Sequence, residues 1–197
     1  MQKADNTGAL IKLLRSIVSV PQEEWDWLQS NLTRKYFKAG DTLFRPGGTE
    51  AGIHFIESGL VRYFYSNEEG RERNHTFASE GNLVGCFSVY AGQEKCPITM
   101  QTIEKTQTLC ISGESVRQFA SRHICWTQFL MRVMTHVALR KAAQEEMLLM
   151  QTPEQRCRRF LADFAPITSR IPQYHIASYI GVTPVALSRI RKRINSV

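Results

Sequence analysis

Glycine-containing turns recur through residues 33–112 and divide this part of the chain into short segments. The turn signals are "KAGD", "RPGG", "ESGL", "NEEGRE", "SEGN" and "YAGQ". Between them lie runs rich in alternating or β-branched residues, such as "IHFIE", "LVRYFYS" and "RNHTFA". Many short strands at about ten-residue spacing, joined by glycine turns, are typical of an antiparallel barrel or sandwich. This region therefore predicts an antiparallel β domain.

Helical patterns flank the β-rich region. Before it, residues 10–32 carry apolar residues at helical spacing, and Pro21 followed by two glutamates is typical of a helix start. After it, residues 113–150 contain no proline and no glycine beyond Gly113. We therefore predict short N-terminal helices and one long later helix, with an interruption near His123.

The long helix has an apolar seam whose partner the sequence leaves open. The helix can pack on the β domain or pair with a second copy of the chain. We favour pairing, because a helix of this length has more apolar surface than a small barrel can cover. Arg140 and Gln144 interrupt the seam, which marks this helix as the part able to switch between two packings. The residues predicted to form the dimer contact are Trp126, Leu130, Val133, Val137 and Met147.

The stretch "QYHIASYIGVTPVALSRIRKRI", at 173–194, has the pattern of two helices joined by a tight turn. Ala177 provides a small residue where two crossing helices touch, and Gly181 can take the left-handed backbone that ends the first helix. Thr183 can cap the second helix, and Pro184 fits its first position. The second helix then has one buried stripe, formed by Leu187, Ile190 and Ile194.

The opposite side of this second helix presents groups suited to DNA. One helix fits the major groove, where Arg189 can bond guanine O6 and N7 together. Neighbouring cations can meet phosphates, and so can the residues at the front of the first helix. Val185 can touch a thymine methyl group. The predicted DNA-contacting residues are Tyr174, His175, Thr183, Val185, Ser188, Arg189, Arg191, Lys192 and Arg193.

The charge distribution supports a polyanion-binding C-terminal region. The chain has a formal net charge of +7, and residues 151–197 hold eight Lys and Arg against only Glu154 and Asp163. The rest of the chain is nearly neutral, with 17 basic and 16 acidic residues. Such an asymmetry favours binding to nucleic acid, although a solvated cationic face would give the same count.

Other residue patterns argue against metals, membranes and catalysis. The five cysteines are odd in number and lack a CxxC pair, so we expect reduced thiols in a cytosol rather than disulfides or zinc. The N-terminus lacks a signal-peptide pattern, and no run of 18 apolar residues occurs. Nucleophile-elbow, P-loop and paired-carboxylate motifs are missing, so we expect no catalytic residues, no metal site and a cytoplasmic protein.

Taken in order, these segments resemble the cyclic-AMP receptor protein / fumarate-nitrate regulator (Crp/Fnr) family of transcription factors. "KAGDTLFRPG", "IHFIESGLVRYF" and "EEGRE" resemble its cyclic-nucleotide-binding-type β-roll, "EGNLVGCFSVYAGQEKC" its ligand cassette, and "TPEQRCRRFL" the start of its winged-helix domain. The resemblance implies an α+β fold: a β-roll (a double-stranded β-helix) with N-terminal helices over 1–112, a dimerisation helix over 113–150, and a helix-turn-helix over 151–197. We expect its wing to be short or absent.

The chain departs from the family pattern in the cassette. The resemblance places the effector cassette at Gly85, Cys86, Phe87, Lys95, Cys96 and Pro97. Family members that bind cyclic AMP have a glutamate where this chain has Cys86, and an Arg–Ser pair where it has Lys95–Cys96. A thiol is a poor partner for ribose hydroxyls, and Lys attracts a phosphate only as a point charge. We therefore expect that a cyclic nucleotide is not the effector and that another small ligand can take its place.

Two further sensor types follow from the resemblance. Residues 1–85 contain no cysteine, which excludes the N-terminal iron–sulfur cluster of the oxygen-sensing branch. Haem ligation remains open, although a structural role is the more common one for a histidine. The candidate ligands are His54, His75, His123 and His136.

The favoured hypothesis is a homodimeric transcription regulator that binds near-palindromic promoter DNA. The resemblance also allows contact with RNA polymerase. The alternative is a cyclic-nucleotide effector module that acts on a protein partner through its basic C-terminal region. Catalysis is the third and least favoured class. The effector, the promoter and the direction of regulation stay open.

Overall fold

The computed structural model describes residues 7–48, 52–87 and 96–195. Eight short strands form two four-stranded antiparallel sheets, with strand orders β1-β8-β3-β6 and β2-β7-β4-β5. Their bounds are β1 Leu32–Phe37, β2 Thr42–Phe44, β3 Ile53–Ser58, β4 Leu60–Ser66, β5 Glu72–Ser79, β6 Leu83–Val84, β7 Thr99–Thr102 and β8 Thr106–Ile111. The predicted antiparallel β domain is confirmed.

Glycine turns set the strand boundaries, as their spacing predicts. Gly59 joins β3 to β4 with φ of 110°. A Cβ atom there would lie 2.6 Å from the Cα of Thr106, so a residue with a side chain fits neither the backbone nor the space. The turn between β4 and β5 closes on Gly70, with φ of 73°. The alternation of short strands and tight turns therefore produces the roll.

Helices lie on both sides of the roll in the sequence. The break predicted near His123 is confirmed: this residue is extended, and its Nδ1 accepts a hydrogen bond from the amide of Cys125 at 3.1 Å. The helices are α1 Thr7–Ile17, α2 Gln22–Asn31, α3 Gly113–Arg117, α4 Phe119–Arg122, α5 Ile124–Met150, α6 Pro153–Asp163, α7 Gln173–Ile180 and α8 Pro184–Asn195, with a 3-10 turn at Thr168–Arg170. The wing prediction concerns residues after Asn195 and lies outside the described residues.

Three apolar cores hold the fold together. The first packs α1, α2 and the start of α5 on one sheet, around Trp126 and Phe129. The second lies between the two sheets, around Ile56 and Met100. The third joins the C-terminal helices to Leu60 and Phe77 of the roll. The α+β class with a β-roll and a helix-turn-helix is therefore confirmed, and the C-terminal helices share a core with the roll.

The prediction that all five cysteines are reduced is wrong. Cys86 and Cys96 form a disulfide, whereas Cys110, Cys125 and Cys157 are buried free thiols. The pair lacks any spacing signature, because the roll rather than the local sequence brings its two sulfurs together. Among the described residues, no three His, Cys, Asp or Glu side chains cluster as metal ligands. No helix in these ranges has the length and apolarity needed to cross a membrane.

Candidate nucleic-acid interface

A two-helix unit near the C-terminus follows the pattern read from the sequence. Helix α7 ends at Gly181, which adopts the left-handed conformation with φ of 77°. The amide of Val182 then bonds the carbonyl of Ala177 at 3.0 Å and closes the turn. Ala177 itself is buried beneath the crossing with α8. A small residue and a flexible one, four positions apart, therefore set the angle between the two helices.

Helix α8 is anchored at its start and along one side. The hydroxyl of Thr183 accepts a hydrogen bond from the amide of Ala186 at 3.2 Å, which satisfies one unpaired donor of the first turn. Leu187 and Ile190 are buried in the third core, and Ile194 packs partly against it. One side of α8 is therefore fixed to the protein, and the other is left for solvent.

The outward side of α8 carries most of the residues predicted to contact DNA. Val185 is 63% exposed near the start of the helix. Arg191 is partly buried and donates to Oε1 of Gln173 at 2.7 Å. Thr183 is exposed, although its hydroxyl is engaged in the cap. The remaining exposed members of the predicted set are Tyr174, Ser188, Arg189, Lys192 and Arg193.

His175 does not belong to this surface, and the prediction that it contacts phosphate is wrong. Its side chain is buried, with 8% of the residue exposed. The Nδ1 atom lies 3.1 Å from Nδ2 of Asn74 and 3.4 Å from Nη1 of Arg62, so it faces two donors. Burial and then the Arg62 charge lower the pKa of His175 to about 4. The neutral ring holds α7 against the roll instead.

Other cations of the basic C-terminal region are engaged within the chain. Arg158 pairs with Glu154 at 3.1 Å, and Arg159 pairs with Asp163 at 3.5 Å. Arg170 reaches across to Glu80 of the roll at 2.9 Å and also pairs with Glu104. These contacts neutralise much of the segment's charge away from α8. On α8, Arg193 lies 3.9 Å from Glu154 with an exposed side chain, and Arg189 and Lys192 are exposed beside it.

Polar and aromatic contacts that no sequence pattern indicated hold the helix-turn-helix against the roll. The amide of Asn74 donates to the hydroxyl of Ser178 at 3.0 Å, and its side chain donates to the carbonyl of His175 at 3.1 Å. Beside them, the ring of Phe77 lies 5.6 Å from that of Phe164 and 6.0 Å from that of Phe160. These contacts join strand β5 to helices α6 and α7. Only the three-dimensional fold brings residues from positions 74–77 and 160–178 together.

The cassette predicted from the family resemblance is partly described. Cys86, Phe87 and Cys96 are buried, and Pro97 is exposed. The amide of Gly85 donates to the hydroxyl of Tyr63 at 3.2 Å. Lys95 lies outside the described residues. The two cysteines are bonded to each other, so neither sulfur is available to a ribose hydroxyl or a phosphate.

Known proteins resemble this chain in sequence and in fold over about nine tenths of its length. A family model described as "Cyclic nucleotide-binding domain" matches residues 34–123. The transcriptional activator protein FnrA of Stutzerimonas stutzeri is 27% identical over 190 residues, which cover 89% of this chain and 76% of FnrA. A protein from Eubacterium rectale assigned to the Crp/Fnr family of transcriptional regulators superposes with a TM-score of 0.71 at 14% identity, covering 90% of this chain and 84% of its own.

The chain is therefore similar to Crp/Fnr regulators in fold, and it contains a matched cyclic nucleotide-binding domain. FixK2 of Bradyrhizobium japonicum has the same fold, with a TM-score of 0.72 at 15% identity over 84% of this chain and 85% of its own. In this chain, the matched domain ends just before α5, and the helix-turn-helix follows that helix. The resemblance read from the order of the segments is therefore confirmed.

The predicted seam of the long helix is not a free surface. Trp126 and Met147 are each only 1% exposed, because they pack in the first and third cores of their own chain. Leu130, Val133 and Val137 also pack against the first core. Trp126 and Met147 are therefore wrongly assigned to a dimer contact. The helix carries two apolar stripes, and periodicity does not show which one faces the roll.

The polar residues that interrupt this seam contact strand β5 of the same chain. Arg140 donates to the hydroxyl of Thr76 at 2.9 Å, and Gln144 donates to the carbonyl of His75 at 2.7 Å. They therefore connect the second half of α5 to β5, the strand that also contacts the helix-turn-helix. A shift of the long helix would have to break or exchange these two hydrogen bonds.

Two histidines weighed as haem ligands are also held within the protein. His54 is buried on β3, where Nδ1 lies 3.0 Å from the hydroxyl of Thr108 and Nε2 lies 3.5 Å from the sulfur of Cys110. Burial lowers the pKa of His54 to about 4, and burial with nearby Lys141 does the same for His75. His123 caps α5, and His136 is exposed on it. The four side chains are thus distributed over separate environments.

The lowered pKa values of His54, His75 and His175 predict that acid destabilises the protein. A histidine whose folded pKa is about 4 and whose unfolded pKa is about 6.5 takes up a proton on unfolding between these values. Stability should therefore be complete above pH 6.5 and fall as the pH drops towards 4. The lowered pKa of Glu80, about 2, affects stability only at lower pH. Urea midpoints at pH 7.5, 6 and 5 test this, and His175→Gln should give a shallower decline.

Proposed function

We propose that this protein is a homodimeric, sequence-specific DNA-binding transcription regulator. The observation that carries the proposal is the exposed basic side of α8, held outward by α7 and by the turn at Gly181. Arg189 is exposed near the middle of this side, where a guanidinium can reach base edges. The names of relatives such as the activator FnrA support the same function.

The proposed reading of DNA places α8 in the major groove. Arg189 would donate two hydrogen bonds to O6 and N7 of one guanine, and Val185 would contact a thymine methyl group. Lys192 and Arg193 lie further along the helix and would meet phosphates. Two copies would read half-sites about one helical turn apart, so the target would be near-palindromic.

Dimerisation would use an exposed stripe of α5 on the side away from the roll. Met131 is 62% exposed and Leu149 is 74% exposed. Between them lie the exposed small residues Thr135, Ala138 and Ala142, at spacings of three and four that keep one side of a helix. Small side chains allow two helices to approach closely, and the flanking Met and Leu supply apolar area.

We expect Ala138→Glu to weaken dimerisation roughly 100-fold or more, because it buries an unpaired charge between the two helices. Sedimentation velocity over a concentration series measures the change. His136→Glu is the matched control: the residue is two positions away, exposed, and on another side of the helix. A dimer of unchanged affinity in Ala138→Glu would remove this stripe as the contact.

Regulation would pass from the cassette region to the helix-turn-helix through β4 and β5. A small effector can shift the balance only by its difference in affinity for the two arrangements. Contact with RNA polymerase would follow if the protein activates its promoter. Calorimetric titration with cyclic AMP tests the nucleotide as effector, and we expect no binding, because the two cysteines of the cassette are bonded to each other.

The function is tested by selecting duplexes from a random-sequence pool with the full-length protein. We expect enrichment of a two-fold symmetric site. Its affinity should fall steeply with salt, because each phosphate contact adds nearly one unit to the slope of log affinity against log salt concentration. Binding of the enriched site is then measured by fluorescence anisotropy at several salt concentrations. Failure to enrich any sequence, or an affinity that does not change with salt concentration, would contradict the proposal.

A further inference from the structure

The disulfide between Cys86 and Cys96 connects the two sheets of the roll. Cys86 follows β6, which belongs to the sheet of β1, β3 and β8. Cys96 precedes β7, which belongs to the sheet of β2, β4 and β5. The bond therefore links the two ends of the cassette across the core of the roll. Breaking it would remove this cross-link and leave Cys86 and Cys96 joined only through the backbone and the packing of the core.

The two sulfurs lie in apolar surroundings next to an exposed residue. Both cysteines belong to the second core, beside Ile98 and Met100. Both cysteines are buried, whereas Pro97, the next residue after Cys96, is exposed. A small reagent would need only a local opening to reach the bond.

A short chain of contacts leads from the bond to the helix-turn-helix. The amide of Gly85, next to Cys86, donates to the hydroxyl of Tyr63 on β4. The preceding residue of β4, Arg62, pairs with Glu72 at 2.6 Å and lies against His175 of α7. A change at the cassette can therefore act on both faces of one strand. The backbone around Gly85 is closely packed, since a Cβ there would lie 3.1 Å from the carbonyl oxygen of Gly52.

We propose that Cys86 and Cys96 form a reversible thiol–disulfide site whose state controls the helix-turn-helix. The reagents are small thiols and small disulfides. In this proposal the disulfide, rather than a bound ligand, holds the two ends of the cassette together. Its effect on DNA rests on the function proposed above, whereas the bond and its effect on α7 can be measured without DNA.

The chemistry is thiol–disulfide exchange. The thiolate of one small thiol attacks a protein sulfur, which forms a mixed disulfide and releases the other cysteine as a thiolate. A second small thiolate then attacks the small-molecule sulfur of that mixed disulfide. The products are two cysteine thiols and one small disulfide, so two electrons and two protons enter the protein. The reverse reaction uses a small disulfide as oxidant.

Tryptic mapping without reductant tests the bond. Cleavage after Arg73, Lys95 and Lys105 places the two cysteines in separate peptides, 74–95 and 96–105. We expect these peptides to be linked in protein treated with the disulfide of 2-mercaptoethanol and separate after treatment with 2-mercaptoethanol. Cys110, Cys125 and Cys157 should be alkylated in both samples. Alkylation of all five cysteines in the oxidised sample would overturn the site.

Hydrogen exchange and DNA binding test the coupling. Reduction should speed amide exchange in β4 and α7 and change the affinity for the selected DNA at least about fivefold. Cys86→Ser and Cys96→Ser should match the reduced protein under both conditions, whereas Cys125→Ala should respond like the wild type. Equal exchange and equal affinity in both redox states would overturn the coupling. If neither state binds DNA but exchange still differs, the regulator function fails and the redox site stands.

Discussion

Arg189→Ala should weaken binding to the selected DNA site by about 2–6 kcal/mol, or roughly 30- to 10⁴-fold. A bidentate contact between Arg and guanine contributes about 1–3 kcal/mol, and a symmetric dimer makes it twice. The substitution should also relax sequence preference at one base pair of each half-site. Arg189 is exposed on α8, so its removal should leave the fold unchanged. Anisotropy titrations with the selected site and with single-base variants measure both effects.

Two further variants separate base reading from phosphate contact. Lys192→Ala should weaken binding similarly for all sequences and reduce the salt slope by about one unit per half-site. Arg15→Ala removes an exposed arginine of α1, distant in sequence from the helix-turn-helix, and should leave binding unchanged. If Arg15→Ala lost as much affinity as Arg189→Ala, the effect of Arg189 would come from the overall charge of the protein and not from a contact with a base. Unchanged specificity in Arg189→Ala would remove it as a base-reading residue.

The helix-turn-helix was predictable because its signals are local. A small residue at 177, a glycine at 181 and a capped proline start at 184 each act within one turn of backbone. Such features work through sterics and hydrogen bonds between near neighbours, so the sequence records them directly. The glycine turns of the roll belong to the same class. Both the fold and the outward side of α8 could therefore be read without coordinates.

The wrong predictions have a different origin. Each concerns a contact that the three-dimensional fold creates and that no local sequence pattern indicates. His175 shares a helix with the exposed Tyr174, and its burial is decided by Asn74 and Arg62 on another element. The disulfide likewise depends on how the roll places Cys86, after β6, beside Cys96, before β7. A pattern read along the chain contains neither relation.

The long helix illustrates a limit of periodicity itself. Its apolar residues fall on two stripes, and either can face the roll in a sequence reading. The stripe around Trp126 is larger and covers the first core, whereas the stripe of small residues around Ala138 is exposed and is the one proposed above to contact a second copy. Side-chain size supplied the missing signal, because bulky aromatic residues fill a core whereas small ones allow two helices to approach.

Under the proposed function, the contact between roll and helix-turn-helix would link the state of the roll to DNA reading. Strand β5 carries Asn74 and Phe77, which hold α6 and α7, and also His75 and Thr76, which bind the long helix. An event in the roll therefore meets the dimer helix and the DNA-reading unit at one strand. Rigid coupling of this kind requires a well-packed joint core, and Phe77 is its central ring.

Phe77→Ala should lower the free energy of unfolding by about 3–5 kcal/mol and separate the unfolding of the helix-turn-helix from that of the roll. The substitution removes a ring that contacts three aromatic side chains of the C-terminal helices and leaves a cavity in their shared core. The cost is a large fraction of the stability of a domain of this kind. Loss of this ring should release α6 and α7 before the rest unfolds.

The three tryptophans make the separation measurable. Trp25, Trp27 and Trp126 all lie in the first core, so their fluorescence follows the N-terminal part alone, whereas circular dichroism follows every helix. In urea, the two signals should coincide for the wild type and diverge for Phe77→Ala, with circular dichroism changing first. Tyr36→Ala, at a residue 72% exposed on β1, should shift neither by more than about 0.5 kcal/mol. The two signals of Phe77→Ala could instead coincide, with a free energy of unfolding less than about 1 kcal/mol below the wild type. That result would show that the shared core does not couple the roll to the helix-turn-helix.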